Sequence, residues 1–214
     1  MIAALYVEKN GVYANLEGVE LWDLERDARK YAGPWPVVAH PPCARWCQLA
    51  SVIEARYGHK IGDDEGCFEA ALHQVRTFGG VLEHPAYSIA WGRYGLPRPE
   101  RSGWTHDLFD PGASAHVEQF YYGHRARKAT WLYAVAPVLP RLRWGRCAQY
   151  QPMARVQYAG RRDVPTAMTG WCRNRRAAED IRPVLGKKEA SASPPEFRDV
   201  LLSIARSAHG SPPQ

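Results

Sequence analysis

The sequence predicts an α/β fold with a mostly parallel sheet and an antiparallel hairpin towards the C-terminal end, on three observations. Short apolar runs at residues 2–7, 36–40 and 79–85 each end in turn-forming or proline-bearing segments, the pattern of buried strands. Helical-period segments separate them, so each strand–helix–strand unit closes most readily as a right-handed parallel crossover. Two later strand-like runs flank "HRARK" (124–128), a connection short enough to make them an antiparallel pair.

Taken in order, "IAALYV" (2–7) and "PVVAH" (36–40) are apolar and partly β-branched, and between them "DLERDARKYAGP" (23–34) reads as a short helix ended by Gly33-Pro34. Residues 44–57 and 63–78 turn helical, and in the second segment Phe68, Ala71, Leu72, Val75 and Phe78 share one face, a core-packing stripe. "GGVLEHP" (79–85) is a strand after a glycine break. Residues 84–112 are rich in Gly and Pro and read as a long surface loop holding a short helix, of a length that often carries function. "SAHVEQFYYG" (114–123) and "ATWLYAVAPVL" (129–139) form the hairpin. Residues 141–176 show no period. "SPPEFRDVLLSIARSA" (193–208) opens as a capping box with prolines at permitted first positions, and "HGSPPQ" is expected to be disordered. The chain thus divides into a core at 1–137, a small basic, Arg- and aromatic-rich insertion at 138–190, a helix at 191–208 returning to the core, and a tail at 209–214.

With 214 residues, 45% hydrophobic and 23% charged, the chain suits one globular domain with a real core. No run approaches the ~18 apolar residues of a membrane span, and the N-terminus lacks a basic-then-apolar leader, so a cytoplasmic protein with no membrane partner is expected. Five cysteines without an export signal imply reduced thiols rather than a disulfide framework. The net charge of +6 is uneven: residues 1–120 carry 11 Lys/Arg against 16 Asp/Glu, and residues 121–214 carry 17 against 6. From His124 to Arg176 the only acid is Asp163, and arginine supplies 11 of the 12 basic residues, interleaved with Trp131, Trp144, Tyr150, Tyr158 and Trp171. That is the footprint of a protein that meets phosphates, with DNA the expected partner and Arg161 and Arg162 as candidate contacts.

Parallel strands bring His40-Pro41-Pro42-Cys43 and Glu83-His84-Pro85 to one edge of the sheet, where α/β proteins tend to do chemistry. If the first hairpin strand runs the same way, HRARK joins them there. Cys43, at the start of a predicted helix, would have its thiol pKa lowered by unpaired backbone N–H groups. Cys43 and Cys47 with His40 could begin a zinc site, but Cys67, Cys147 and Cys172 are scattered singly, so no metal is expected. Buried packing is the plain alternative for Cys43, as surface exposure is for His84 and His124.

The order of these clusters, Pro-Pro-Cys after one strand, a Glu-bearing turn after the next, then Arg-x-Arg between two later strands, resembles the cytosine-C5 DNA methyltransferase family over roughly residues 34–137. That family carries a Pro-Cys loop, a Glu-Asn-Val segment and a Gln-x-Arg-x-Arg segment in this order on a Rossmann-like sheet. The resemblance implies a Rossmann-like, three-layer, methyltransferase-like catalytic core. It matches Pro42 and Cys43, Glu83, and Arg125 and Arg127 to the family's positions. It implies Cys43 as covalent nucleophile at ring carbon-6 of a pyrimidine, Glu83 as proton donor to the ring nitrogen, and Arg125 or Arg127 holding the base carbonyl or its phosphate, with His40, Pro42, His84 and His124 lining the substrate. The target base would be flipped from a duplex or offered single-stranded. S-adenosylmethionine is the donor that the family implies, but the glycine-rich turn after the first strand is absent, with isolated Gly11 and Gly18 in its place, and the family's closing Gly-Asn segment is replaced by Ser191-Ala192-Ser193-Pro194. Glu83 is followed by His-Pro instead of Asn-Val, and the glutamine before the arginines has no clear counterpart. Two other readings stand beside the enzyme: a non-catalytic nucleic-acid-binding protein on a decayed methyltransferase scaffold, and an enzyme acting on free pyrimidine nucleotides with another donor.

Overall fold

In the computed structural model, which describes residues 1–147, 165, 167–168 and 184–208, the chain is a mixed α/β structure built on one seven-stranded sheet. The strands are β1 (Ile2–Leu5), β2 (Val19–Trp22), β3 (Val37–Ala39), β4 (Gly80–Pro85), β5 (Trp104–His106), β6 (Ala113–Glu118) and β7 (Ala129–Val135). Their order across the sheet is β2-β1-β3-β4-β7-β6-β5. The first four are parallel; β7 is antiparallel to β4 and to β6, so β6 points the same way as β4.

Side-chain alternation sorts the sheet into two apolar faces. Leu5, Val37, Ala39, Leu82, Trp131 and Tyr133 pack under α2 (Cys67–Phe78), while Ala4, Val38, Val81, Leu132 and Ala134 pack under a C-terminal helix at Pro195–Ala208. The expected stripe of α2 faces the core through Phe68, Ala71, Leu72 and Val75. Asp64 anchors its start, since Oδ2 accepts from the Phe68 N–H at 2.8 Å and from the Trp46 indole at 2.7 Å. Among the described residues the shorter helices are α1 (Ala50–Tyr57), α3 (Ala90–Arg93) and α4 (Lys187–Ser191), so the C-terminal one is α5.

The differences from expectation lie where local signals are weak. Residues 23–34 supply only a 3-10 turn at Ala28–Lys30, pinned by the buried Gln74 amide, which donates to the carbonyls of Ala28 and Tyr31. The helix expected from residue 44 begins at Ala50, which leaves Cys43 in a turn. The edge strands β2 and β5 arise from stretches with no buried alternation: β2 is half-buried throughout and β5 has no fully buried residue. Most of the expected insertion at 138–190, with Arg161 and Arg162, and the tail at 209–214 lie outside the described residues. Among the described residues no helix is long and apolar enough to cross a membrane.

Gly80 marks the tightest approach in the sheet. Its φ is +117°, and a Cβ there would stand 1.9 Å from the Val37 carbonyl oxygen, against backbone that cannot move without breaking the β3–β4 ladder. Gly80→Ala is expected to cost about 3 kcal/mol or more, read as a drop in the urea midpoint at unchanged slope.

Candidate functional site

Five strands, β1 to β4 and β6, end at one edge of the sheet, and polar residues beyond β1, β3, β4 and β6 converge. On β3 and β4 the alternation that sends Val38 and Val81 towards α5 sends His40 and Glu83 to that same face. His40 Nδ1 lies 3.1 Å from Glu83 Oε2, and the Gln119 amide nitrogen, just past β6, donates to Glu83 Oε1 at 3.1 Å and to Thr130 Oγ1 at 3.0 Å. Tyr13, buried in the loop after β1, places its hydroxyl 2.8 Å from His40 Nε2. A carboxylate only accepts, so the His40 proton facing it sits on Nδ1, and in the neutral ring Nε2 accepts from Tyr13. The result is a chain of donors, Tyr13 to His40 to Glu83.

Glu83 is almost fully buried. Burial alone would raise its pKa, but the His40 hydrogen bond and charge, with Lys128 and His84 adding, outweigh it and bring the carboxyl to about 2. Two groups share its field. The Cys43 thiol is pushed above its ordinary range, first by desolvation and then by the Glu83 charge. The Lys128 ammonium is lowered by desolvation, with Glu83 and Cys43 acting against that shift. Lys128 has φ +38°, unusual for a long side chain, and its Nζ is held by the carbonyls of Ser191 and Ala192 at 2.6 and 2.8 Å. Cys43 remains exposed on one side. The lowered thiol pKa expected from a helix start is therefore corrected: the helix begins seven residues later, and burial with a nearby carboxylate favours the neutral thiol.

The other expected residues are dispersed. His84 points to the opposite face of the sheet, where it is fully buried between Phe68 and Trp91 at ring distances of 5.2 and 6.3 Å, too enclosed to touch a substrate. Pro42 is exposed beside Cys43. His124 is spent on its own loop: Nδ1 takes the Ala126 N–H at 3.0 Å, and Nε2 faces the Glu189 carbonyl at 3.3 Å. Arg125 pairs with Glu189 at 2.8 Å. Arg127 donates at 2.6 Å to Glu118, a carboxylate with no exposed surface whose other oxygen accepts the Cys147 N–H at 2.7 Å. The cation beside Glu83 and Cys43 is thus Lys128 rather than either arginine.

Tyr13, Gln119, Lys128 and Thr130 were not singled out in the sequence. None of them carried a sequence signal: the resemblance would put a glutamine two residues before Arg125, where Gly123 stands, and Gln119 lies six before it.

The loop after β1 does not fit S-adenosylmethionine. Instead of a glycine turn that lets a cofactor approach the backbone, it carries Tyr6 at φ +59°, Tyr13 fills the space beside His40, and Arg198 of α5 ties down the Val12 carbonyl at 2.9 Å. Among the described residues no cluster of three or more His, Cys, Asp or Glu is placed to hold a metal ion. No protein-family model matches the chain, and neither a curated protein nor a solved structure matches it.

Two measurements probe these assignments. Arg127→Met leaves the buried Glu118 charge uncompensated and is expected to cost about 3 kcal/mol in chemical denaturation, whereas Arg125→Met, at an exposed pair, changes stability by less than about 1 kcal/mol. His84 is lowered by burial from 6.5 to about 4, so the unfolded chain takes up its proton first; the stability this supplies is whole above pH 6.5 and lost as the pH falls to 4. The loss amounts to about 3 kcal/mol, and His84→Leu should flatten the stability–pH curve in that window.

Proposed function

We propose that this protein modifies a pyrimidine base, with cytosine in nucleic acid the preferred target, through covalent addition of Cys43 to ring carbon-6. The observation that carries the reading is the buried Glu83 carboxylate, held by His40 and Gln119 with the Cys43 thiol and the Lys128 ammonium in its field, at the edge where the parallel strands end. The Rossmann-like, methyltransferase-like character of the fold and DNA as partner belong to the same proposal. They rest on the order of the Pro-Cys, Glu and Arg-x-Arg segments along the chain and on the arginine-rich C-terminal half.

The protonation states suggest how addition would run. Cys43 enters as thiol and Glu83 as carboxylate; a carboxyl held near 2 is too weak a base to ionise the thiol outright, so the proton passes from sulfur through Glu83 only in concert with attack on carbon-6. As the sulfur–carbon-6 bond forms, the ring's electron pair shifts towards the ring nitrogen, which takes that proton from Glu83. The product is a neutral adduct with an electron-rich carbon-5, and Glu83 is again ionised. This differs from a simple proton donor: Glu83 relays a proton that begins on sulfur. His40, oriented by Tyr13, keeps the carboxylate aimed, and Lys128 steadies the negative charge while the proton is in transit. Carbon-5 then attacks the donor's electrophilic group, whose leaving group departs; solvent takes the carbon-5 proton as the sulfur is expelled, and the ring-nitrogen proton returns through Glu83 to Cys43.

A cytosine bearing fluorine at carbon-5 cannot lose that substituent as a proton, so group transfer traps the adduct. Incubation with 5-fluorocytosine DNA and the matching donor is expected to give a denaturation-resistant adduct at Cys43 by peptide mass spectrometry. Cys43→Ala abolishes it, and Glu83→Gln slows its formation about a hundredfold or more. S-adenosylmethionine binding, titrated separately by calorimetry, should be weak or undetectable. An adduct absent from single-stranded, duplex and nucleotide substrates with every candidate donor, while DNA is still bound, would leave the non-catalytic scaffold as the function.

A further inference from the structure

On the opposite face of β7 from Thr130, the loop between α3 and β5 closes over a cavity of about 190 Å³. Its walls carry three arginines, Arg98 and Arg101 from that loop and Arg146 from beyond β7, and its aromatic lining comprises Tyr87, His116 and Trp131. All three arginines are exposed, and among the described residues none is engaged in an ion pair or hydrogen bond.

The lining is prepared at cost. Tyr87 stands at φ +65°, in the left-handed region that a bulky residue rarely occupies. That backbone sets its exposed ring 5.3 Å from Trp131 and 6.1 Å from His116. The Trp131 indole N–H, which can only donate, gives its hydrogen bond to His116 Nδ1 at 3.1 Å. A neutral His116 therefore carries its proton on Nε2, and burial favours that neutral form. His116 is 7% exposed, and its Nε2 has no partner among the described residues. A buried N–H without an acceptor is expensive, and a ligand atom would satisfy it.

We infer that this cavity is a nucleotide-binding pocket, in which Arg98, Arg101 and Arg146 hold a phosphoryl group, a base lies on the Tyr87 ring, and an acceptor on the ligand takes the His116 Nε2 proton. A bare anion would leave the aromatic lining unused, and an acidic side chain has no ring to stack. Glu100 also lines the cavity, so one carboxylate opposes three guanidinium groups, a balance that suits a single phosphate. The inference rests on the nucleic-acid reading only for the origin of the nucleotide, which is either part of a strand beside the target base or free.

Calorimetric titration of the whole protein with thymidine 5′-monophosphate, thymidine, inorganic phosphate and a short single-stranded oligothymidine tests it. Thymidine already bears a methyl at carbon-5 and is no substrate for transfer there. The nucleotide is expected to bind at least about tenfold more tightly than nucleoside or phosphate, and Arg101→Gln/Arg146→Gln, at exposed positions that do not carry the fold, should weaken it by about tenfold or more. Tyr87→Ser should weaken the nucleotide and leave phosphate unchanged, while the Nε2-bound proton of His116 shifts in NMR spectra when nucleotide is added. Strand binding that depends on the arginines assigns the pocket to nucleic acid, and free nucleotide that the strand fails to displace assigns it to a separate small ligand. Cys43→Ala retains all of this binding, so failure of the covalent chemistry leaves the inference standing. Binding indifferent to the arginines, phosphate as tight as nucleotide, or no binding of any of the four ligands would overturn it.

Discussion

The Glu83 carboxylate is the charge around which this edge of the sheet is arranged. Burying an ionised carboxyl is costly unless donors replace the lost water, and each donor here arrives from a different strand: His40 from the end of β3, Gln119 from the end of β6, with Thr130 of β7 steadying the Gln119 amide. Only a sheet in which β3, β4 and β6 run the same way, with β7 filling the space between β4 and β6, delivers all of them to one point. The loop after β1 then has to lie where Tyr13 can reach His40. The buried charge thereby demands the topology, and the topology supplies its compensation.

Much of the fold was legible because its signals are local. Apolar runs ended by prolines marked β3 and β4, the 3.6-residue stripe marked α2, and a capping box with prolines in the first positions marked α5. The strands β2 and β5 were not visible, because edge strands bury little and leave no alternation to read. At the site, Cys43, Glu83 and His40 stood out through their position at strand ends. Tyr13 and Gln119 did not, since a tyrosine in a loop and a glutamine beside an aromatic run acquire meaning only from contacts 27 and 36 residues distant in the chain. His84 shows the converse: it neighbours Glu83 in sequence, yet strand alternation sends it to the other face, into the aromatic core.

The arginines divide by what surrounds them. Arg127 is the counter-ion of a carboxylate with no exposed surface and Arg125 an exposed partner of Glu189, so both are engaged with the protein. Arg98, Arg101 and Arg146 have no such partners among the described residues. A count of basic residues along the chain cannot separate these two groups, since the difference lies in whether an acid has been brought opposite by folding. Nor did the basic block reveal that its Arg146 shares a wall with arginines from the acidic half of the chain.

One strand serves both faces of this edge. Thr130 of β7 joins the Glu83 cluster, and Trp131, the next residue, lines the cavity on the other side, their side chains parted only by the pleat. The pairing that fixes this, Pro85 with Thr130 and His84 with Trp131, is common to both sites. A slip of β7 by a single residue would exchange its two faces, sending the indole into the carboxylate cluster and the threonine into the arginine-walled cavity. A one-residue change in the hairpin connecting β6 to β7 leaves both sites intact only if the turn absorbs it; passed into β7 it disturbs both at once, because the two sites share one register.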